Sequence, residues 1–251
     1  MTKIKTALIT GASSGIGWAT AQSLAAKGYR LILCGRRAER LNTLASQLEV
    51  PMYSLVFDVR DRQAVFEAID SLPLEWKDIN VLINNAGNAH GLDTVQTANL
   101  DDWDAMIDGN VKGLFYVTKA VLPLLQNSGD GHIINVGSIA GKQAYPKGSV
   151  YCASKSAVDF FTDGLRIDLN AEGIRVGAIH PGLVETEFSE VRFKGDTQRS
   201  KEVYKGAKAL QAADVADAIT YMVEAPRSVN IADIVILPTS QANAYVLNRE
   251  P

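Results

Sequence analysis

A tyrosine and a lysine stand four residues apart, at Tyr151 and Lys155, in a stretch whose apolar spacing predicts a helix over 150–171. Residues at positions i and i+4 share one helix face, so we expect these two side chains to be neighbours. A phenol with an ordinary pKa of about 10 is a poor acid or base at neutral pH, but a nearby ammonium favours the phenolate and lowers that pKa. Ser138, at the end of the fifth predicted strand, could hold a substrate oxygen while Tyr151 gives or takes its proton. The three residues indicate acid–base chemistry at an oxygen atom, although a Tyr-x-x-x-Lys spacing alone is more often a pair on a helix surface.

A glycine-rich turn joins the first predicted strand, 5–10, to a helix predicted over 15–27. Glycines allow a tight turn and a close approach of the backbone, and the amides at a helix start favour a pyrophosphate. The spacing is not the common GxGxxG, and a plain structural turn is the alternative. The candidate cofactor-binding residues of this turn are Gly11, Ser13, Ser14, Gly15, Ile16 and Gly17.

Two arginines, Arg36 and Arg37, follow the second predicted strand, 30–34. An acidic residue at this point would accept a hydrogen bond from the 2′-hydroxyl of NAD, whereas arginine accommodates the 2′-phosphate of NADP. The pair therefore favours NADP, and the alternative is two solvated side chains that open the helix predicted over 37–48. Asp58, after the third predicted strand, accepts from an adenine amino group, caps the helix that follows, or does both.

Amide side chains mark two further positions. Asn85, Ala86 and Gly87 follow the fourth predicted strand and suit a second close approach to a nucleotide, with a polar turn as the alternative. Asn110 interrupts an apolar stretch that predicts one helix over 101–126; it either holds a water or a backbone group, or faces solvent. The three histidines match no metal-binding motif, so they are interpreted as structural and no metal site is expected.

Short apolar runs alternate with stretches of helical spacing along the chain, a pattern typical of βαβ units and a parallel sheet. No linker, charge run or internal repeat divides them, so one domain is expected over 1–251. The predicted strands are 5–10, 30–34, 52–57, 79–84, 132–137, 174–180 and 231–237. The predicted helices are 15–27, 37–48, 61–71, 101–126, 150–171 and 213–225.

The composition excludes several classes of protein. The chain has 251 residues, of which 47% are apolar, and a formal charge of −3, so neither a mini-protein nor a disordered chain is expected. The near-neutral charge argues against a nucleic-acid or anionic-membrane surface. With no apolar leader at the N-terminus and only two cysteines, in no ligand spacing, a cytoplasmic protein is expected.

The segment 183–208 is longer than the usual connection between a strand and a helix, so it is interpreted as a lid. Between 192 and 208 it carries six basic residues against two acidic ones. Lys142 and Lys147 lie between Ser138 and Tyr151. These charges could attract a carboxylate, and the alternative is a solvated lid whose lysines contact nothing.

Taken together with Pro181, Gly182 and Thr186, these motifs resemble the short-chain dehydrogenase/reductase family along the whole chain. The resemblance implies a three-layer, doubly wound Rossmann-type α/β fold with a seven-stranded parallel sheet. It also implies a tetrad in which Asn110 organises a water relay, Ser138 positions a carbonyl, Tyr151 is the acid or base, and Lys155 lowers the tyrosine pKa and holds the nicotinamide ribose. The remaining cofactor-binding residues assigned on this basis are Val59, Pro181, Gly182, Val184 and Thr186.

The segments 145–153, 181–188, 191–196 and 238–241 are similar to the NADP-dependent 3-hydroxy acid dehydrogenase branch of that family. This similarity implies oxidation of serine or another 3-hydroxy acid, or reduction of the semialdehyde, in a homotetramer. Ser138, Tyr151 and Arg192 would then contact a small substrate that bears a carboxylate. The alternatives are a reductase of another carbonyl, such as a 3-oxoacyl thioester, a ketone or a sugar, and a dinucleotide-binding sensor without catalysis.

Overall fold

The computed structural model describes residues 4–250. Its strands are β1 (Thr6–Thr10), β2 (Arg30–Gly35), β3 (Met52–Val56), β4 (Val81–Asn84), β5 (His132–Val136), β6 (Arg175–Pro181), β7 (Val184–Glu185), β8 (Leu210–Gln211) and β9 (Asp233–Ile236). Its α-helices are α1 (Gly15–Ala26), α2 (Ala38–Ser46), α3 (Arg62–Asp70), α4 (Leu100–Ile107), α5 (Gly113–Ser128), α6 (Ile139–Lys142), α7 (Ser149–Asp168), α8 (Phe188–Arg192), α9 (Thr197–Tyr204) and α10 (Ala212–Glu224).

Seven of the strands form one parallel sheet in the order β3-β2-β1-β4-β5-β6-β9. The order reverses between β1 and β4, and open α/β sheets bind ligands beyond the carboxyl ends of the strands at such a point. The short strands β7 and β8 pair separately. The expected three-layer, seven-stranded fold is confirmed.

Helices cover both faces of the sheet, which explains why its central strands read as continuous apolar runs. On one face, buried side chains of α1, α2 and α10 pack on the strands, among them Leu24, Leu41 and Ile219. On the other face, α3, α5 and α7 contribute Val65, Val121 and Leu165. The apolar layers therefore fix the strand ends, and the site is built at those ends.

The predicted helix 101–126 is divided in the structure. A π-helical turn at Asp108–Lys112 separates α4 from α5, and Asn110, which is 1% exposed, lies within it. Such a wide turn inserts one residue into a helix and is frequent at functional sites. Here the Asn110 amide is directed toward Asn88 and Ser154, so the solvent-facing alternative for Asn110 is wrong.

The segment 183–208 is not an irregular loop, because it contains β7, α8 and α9. Other predicted elements differ only at their ends: the helix predicted over 150–171 ends at Asp168 and is followed by a 3₁₀ turn at Asn170–Glu172. Within residues 4–250, no helix combines the length and the apolarity needed to cross a membrane.

Candidate active site

A cleft of about 570 Å³ opens at the carboxyl ends of the central strands. Arg36 and Arg37 line one end of it, and Tyr151 and Arg192 line the other. Between these ends run the glycine-rich turn after β1 and the residues that follow β4, β5 and β6. Most of the residues predicted from the sequence to form a site therefore line this one cleft. Its two ends suit a dinucleotide with a substrate beyond one end of it.

The glycine-rich turn lies against the end of β4. Gly11 and Gly15 have φ angles of +67° and +51°, which favour glycine because other residues are strained there. A Cβ atom at Gly17 would collide with the carbonyl oxygen of Gly11. The Asn85 side chain donates to the carbonyl of Thr10 at 2.9 Å, so this predicted cofactor residue also holds the turn in place.

The arginine end of the cleft is partly occupied by side chains of the protein itself. Arg37 donates through Nε to Ser13 Oγ at 3.2 Å and through Nη1 to Glu187 at 2.8 Å. Arg36 is 63% exposed, and its nearest carboxylate is Asp58 at 3.8 Å. Neither arginine is merely solvated, and Arg36 leaves most of its guanidinium available to an anion.

Asp58 binds an arginine rather than a helix end. Its carboxylate accepts from Arg60 Nη2 at 2.7 Å and from the Arg60 backbone N–H at 3.0 Å. Burial alone would raise the pKa of Asp58, but the hydrogen bonds from Arg60 outweigh burial and lower it. The N-cap of α3 is Asp61, which accepts from Ala64 at 3.1 Å. The predicted capping role of Asp58 is therefore wrong, and its adenine-binding role stays a prediction.

Tyr151 and Lys155 project from α7 into the cleft, 9% and 6% exposed. Ser138, the N-cap of α6, accepts from the Ala140 backbone at 3.1 Å and hydrogen-bonds Tyr151. Lys155 Nζ donates to the carbonyl of Val136 at 2.9 Å. The structure thus places the end of β5 and one face of α7 along the same cleft. The i and i+4 spacing predicts the shared face for Tyr151 and Lys155, whereas Ser138 belongs to a separate element.

Burial controls the acidity of these groups. It raises the pKa of Tyr151 above the ordinary tyrosine value, while the Ser138 hydrogen bond and the Arg192 charge oppose it. Burial lowers the pKa of Lys155 to about 8. Desolvation of the phenolate outweighs the charge of Arg192, and the lowering of the Tyr151 pKa by Lys155 stays a prediction. Tyr151 is accordingly held as a phenol, a proton donor.

Asn110 connects the π-helical turn to α7 and to the segment after β4. Its Oδ1 accepts from the Asn88 backbone N–H at 2.7 Å. Its Nδ2 donates to the Asn88 carbonyl at 2.8 Å and to Ser154 Oγ at 3.0 Å. The interpretation that Asn110 holds a backbone group is confirmed, and its part in a water relay remains a prediction.

Arg192, at the end of α8, lies beside Tyr151. Its Nε donates to the Gly91 carbonyl at 2.9 Å and its Nη2 to the Tyr145 hydroxyl at 3.1 Å. The guanidinium carbon lies 5.8 Å from the centre of the Tyr151 ring. No carboxylate within residues 4–250 forms an ion pair with Arg192, so its charge is available to a bound anion.

The other basic residues of the 183–208 segment do not line the cleft. Lys194 pairs with Asp102 at 2.9 Å, and Lys208 pairs with Glu250 at 2.8 Å. Arg199 lies over the ring of Phe193. Lys142, outside the segment, binds two carboxylates. Among the basic residues of 183–208, Arg192 is therefore the one placed to attract a carboxylate into the cleft.

Comparison with known proteins identifies the group to which this chain belongs. Residues 5–197 match the family model described as short chain dehydrogenase. The chain belongs to the short-chain dehydrogenase family. Membership agrees with the sequence resemblance and with the sheet order.

Several relatives of this short-chain dehydrogenase are similar along nearly their whole length. An NADP-dependent 3-hydroxy acid dehydrogenase of Salmonella typhi is 44% identical over 238 residues, which are 94% of this chain and 96% of the relative. Sulfoacetaldehyde reductase 2 of Chromohalobacter salexigens is 46% identical over 247 residues, 97% and 98% of the two chains. The closed form of serine dehydrogenase complexed with NADP+ is 42% identical, with a TM-score of 0.93, and the match covers 98% of this chain and 100% of that structure.

The short-chain dehydrogenase also contains cleft residues that the sequence analysis missed. Tyr145, Phe188 and Glu187 line the cleft, and Arg40 binds Glu187 at 2.5 Å. Arg40 could have been found, because it lies three residues after Arg37 on the same face of a predicted helix. Nothing in the sequence indicates which acid the two arginines bind, since 150 residues separate Arg37 from Glu187.

One cluster of the short-chain dehydrogenase has the side-chain types of a metal site, namely Asp159, His180 and Asp233. The Lys142 ammonium lies 2.9 Å from Asp159 and 2.7 Å from Asp233, and His180 Nε2 lies 2.8 Å from Asp233. A lysine already supplies the positive charge between the carboxylates, so we assign no metal to this cluster. His180 is thus part of a charged network rather than an isolated core residue.

Proposed function

We propose that this protein is an NADP-dependent oxidoreductase that transfers a hydride between NADP(H) and a small 3-hydroxy acid, such as serine or 3-hydroxypropionate, or the corresponding semialdehyde. The observation that carries the proposal is the Arg192 guanidinium, which has no carboxylate partner within residues 4–250 and lies 5.8 Å from the ring of Tyr151. A substrate carboxylate on Arg192 would place the adjoining carbons near the tyrosine hydroxyl. The relatives named for 3-hydroxy acid and serine oxidation support the same substrate class.

The residues present fit NADP at the other end of the cleft. The exposed guanidinium of Arg36 and the hydroxyl of Ser13 line it there, and both suit a phosphate. The glycine turn leaves room for the pyrophosphate, and Lys155 Nζ is 3.4 Å from where a Cβ of Gly87 would stand. We assign Arg36 and Arg37 to the 2′-phosphate and Lys155 to the nicotinamide ribose.

In the oxidative direction, NADP held in the cleft would supply the acceptor for the hydride that leaves the substrate carbon. Ser138 holds the substrate oxygen by a hydrogen bond, and Tyr151 takes the hydroxyl proton as a phenolate. In the reductive direction, the tyrosine phenol gives that proton to the carbonyl oxygen. Burial raises the pKa of Tyr151 and so favours the phenol, the form that donates the proton in the reductive direction.

A second candidate substrate is a small sulfonate aldehyde. The relative named sulfoacetaldehyde reductase is 46% identical to this chain, and a guanidinium binds a sulfonate as well as a carboxylate through charge-assisted hydrogen bonds. Arg192 alone does not distinguish the two anions. The substrate panel must therefore contain both.

The test is an NADPH-linked absorbance assay over L-serine, 3-hydroxypropionate, 3-hydroxyisobutyrate, their semialdehydes, sulfoacetaldehyde and a 3-oxoacyl thioester. We expect kcat/KM to be highest for a small anionic substrate and to fall roughly 10- to 100-fold in Arg192→Gln, the effect of losing a hydrogen bond to a charged group. Lys201→Gln is the matched control, because it removes a basic charge from the same segment at an exposed residue that does not line the cleft. A preference for the thioester, or an Arg192→Gln variant with wild-type kinetics, would contradict the proposal.

We also propose a homotetramer in the cytoplasm. Phe160 and Ile167 are 78% and 77% exposed on α7, and Val235 is 47% exposed on the edge strand β9. Apolar side chains grouped on a helix face and a sheet edge suit contacts between subunits. Cys34 and Cys152 are buried and unpaired, in agreement with a reducing compartment. Light scattering of the purified protein tests the assembly, and a monomer at micromolar concentration would contradict it.

A further inference from the structure

Glu187 crosses the cleft from the start of α8 to the start of α2. Its Oε2 accepts from Arg37 Nη1 at 2.8 Å and its Oε1 from Arg40 Nη1 at 2.5 Å. The residue before it, Thr186, lies beside the glycine turn, where a Cβ of Gly15 would approach it to 3.2 Å. The segment that carries Arg192 is therefore fastened to the arginine end of the cleft by one carboxylate.

Three of the five N–H donors of the Arg37 guanidinium are in use. Nε and Nη2 donate to the hydroxyl and the carbonyl of Ser13, both at 3.2 Å, and Nη1 donates to Glu187. A phosphate on Arg37 would therefore either displace one of these partners or share the guanidinium charge with Glu187. Glu187 is the partner of the same charge type as the phosphate, and its 35% exposure leaves it free to move into solvent.

We propose that Glu187 competes with the 2′-phosphate of NADP(H) for Arg37 and Arg40, and so sets how strongly the protein prefers NADP over NAD. The inference rests on the proposed placement of the phosphate at Arg36 and Arg37. NAD has a hydroxyl at this position and leaves the Glu187 pairs intact. NADP must displace the carboxylate or share the guanidiniums with it. Either way, the 2′-phosphate adds less binding free energy than it would without Glu187.

The size of the effect follows from the exposure of the groups. Arg37, Arg40 and Glu187 are 42%, 49% and 35% exposed, and ion pairs with this exposure are weak. Removal of the Glu187 charge should therefore tighten NADPH binding by about two- to fivefold, the range expected for an exposed pair. NADH binding should change by less than about twofold, because no phosphate meets the arginines.

The test is calorimetric titration of Glu187→Gln with NADPH and NADH, without substrate. Adenosine 2′,5′-bisphosphate and adenosine 5′-monophosphate serve as fragments that differ only at the 2′ position. Glu190→Gln is the matched control, because it removes the same charge from α8 at an exposed residue that does not line the cleft. We expect Glu187→Gln to raise the ratio of the NADH to the NADPH dissociation constant, and to tighten the bisphosphate but not the monophosphate.

A ratio that stays constant or falls in Glu187→Gln, or that rises equally in Glu190→Gln, would overturn the competition. Titration of Arg37→Ala separates this result from a misplaced phosphate. If Arg37→Ala lowers the ratio while Glu187→Gln does not raise it, the phosphate is placed correctly and only the competition fails. If neither variant changes the ratio, the placement of the phosphate fails as well.

Discussion

Asn110 binds both backbone groups of Asn88 with a single side chain. Its oxygen accepts from the N–H at 2.7 Å, and its amide nitrogen donates to the carbonyl at 2.8 Å. Because Asn88 directly follows Gly87 in the wall of the cleft, the π-helical turn that presents Asn110 fixes the backbone beside the catalytic face. A third hydrogen bond, to Ser154 Oγ, fastens the same amide to α7.

Replacement of Asn110 should therefore damage stability and activity together. Asn110→Leu leaves the N–H and C=O of Asn88 without their partner, at about 1–3 kcal/mol for each group that stays buried and unsatisfied. We expect a lower free energy of unfolding in urea and a large loss of turnover. Asn99→Ala, which removes the N-cap of α4, is the comparison and should cost about 1 kcal/mol without affecting turnover. Wild-type turnover in Asn110→Leu would contradict the positioning role.

Tyr151→Phe should remove the proton transfer and little else. The ring packs edge-on against Phe188 with centroids 5.8 Å apart, and phenylalanine preserves that contact. We expect turnover to fall by roughly 100- to 10,000-fold, the usual contribution of a positioned acid or base, while the NADPH dissociation constant stays within about threefold. Tyr145→Phe is the control, since it removes a hydroxyl that binds Arg192 and should raise KM more than it lowers kcat. Retained turnover in Tyr151→Phe would contradict the assignment.

Arg36→Ala should weaken NADPH binding far more than NADH binding. Arg36 is 63% exposed, with its nearest carboxylate 3.8 Å away, so little else depends on its charge. Loss of a charge-assisted hydrogen bond to phosphate corresponds to roughly a 10- to 100-fold weaker NADPH complex, measured by titration. Arg62→Ala, at an exposed position outside the cleft, should leave both dissociation constants unchanged. An equal loss for the two dinucleotides would place the phosphate elsewhere.

The sequence predicts the sheet, and the shared helix face of Tyr151 and Lys155, for a physical reason. Strands covered by helices on both faces must be apolar throughout, so β1, β2, β4 and β5 appear as uninterrupted runs. The tyrosine–lysine spacing brings its two side chains together because a helix has a fixed period. The residues of the glycine turn are adjacent in the chain, so their grouping is local and visible.

Interactions between distant segments could not be predicted in this way. The apolar residues of 101–126 are compatible with one continuous helix, so the π-helical turn at Asn110 is recognised only once Asn88 is in place beside it. The charges of Lys194 and Lys208 suggest a basic surface until Asp102 and Glu250 are brought beside them. Likewise, nothing in the sequence near Arg37 indicates that its partner is Glu187.

Acid should destabilise the protein through His132. This residue begins β5 and is fully buried, and neither ring nitrogen has a hydrogen-bond partner within residues 4–250. Burial, reinforced by the charge of Arg175, lowers the pKa of His132 to about 3. In the unfolded chain His132 has an ordinary pKa of about 6.5. Below that pH the unfolded chain therefore binds a proton at His132 that the folded chain does not bind.

The contribution of His132 to stability is complete above about pH 6.5 and is lost progressively as the pH falls from there toward 3, with a limiting slope of about 1.4 kcal/mol per pH unit. We expect the free energy of unfolding in urea to fall between pH 7.5 and 5.5, and to fall by about 1 kcal/mol less in His132→Leu, which is similar in size and cannot protonate. The pKa of His90 is also lowered by burial, but this residue is only partly buried, so His90→Gln should change the slope less. If His132→Leu kept the full wild-type dependence on pH, the acid sensitivity would have to come from other groups, and the charged network around His180 would be the next to replace.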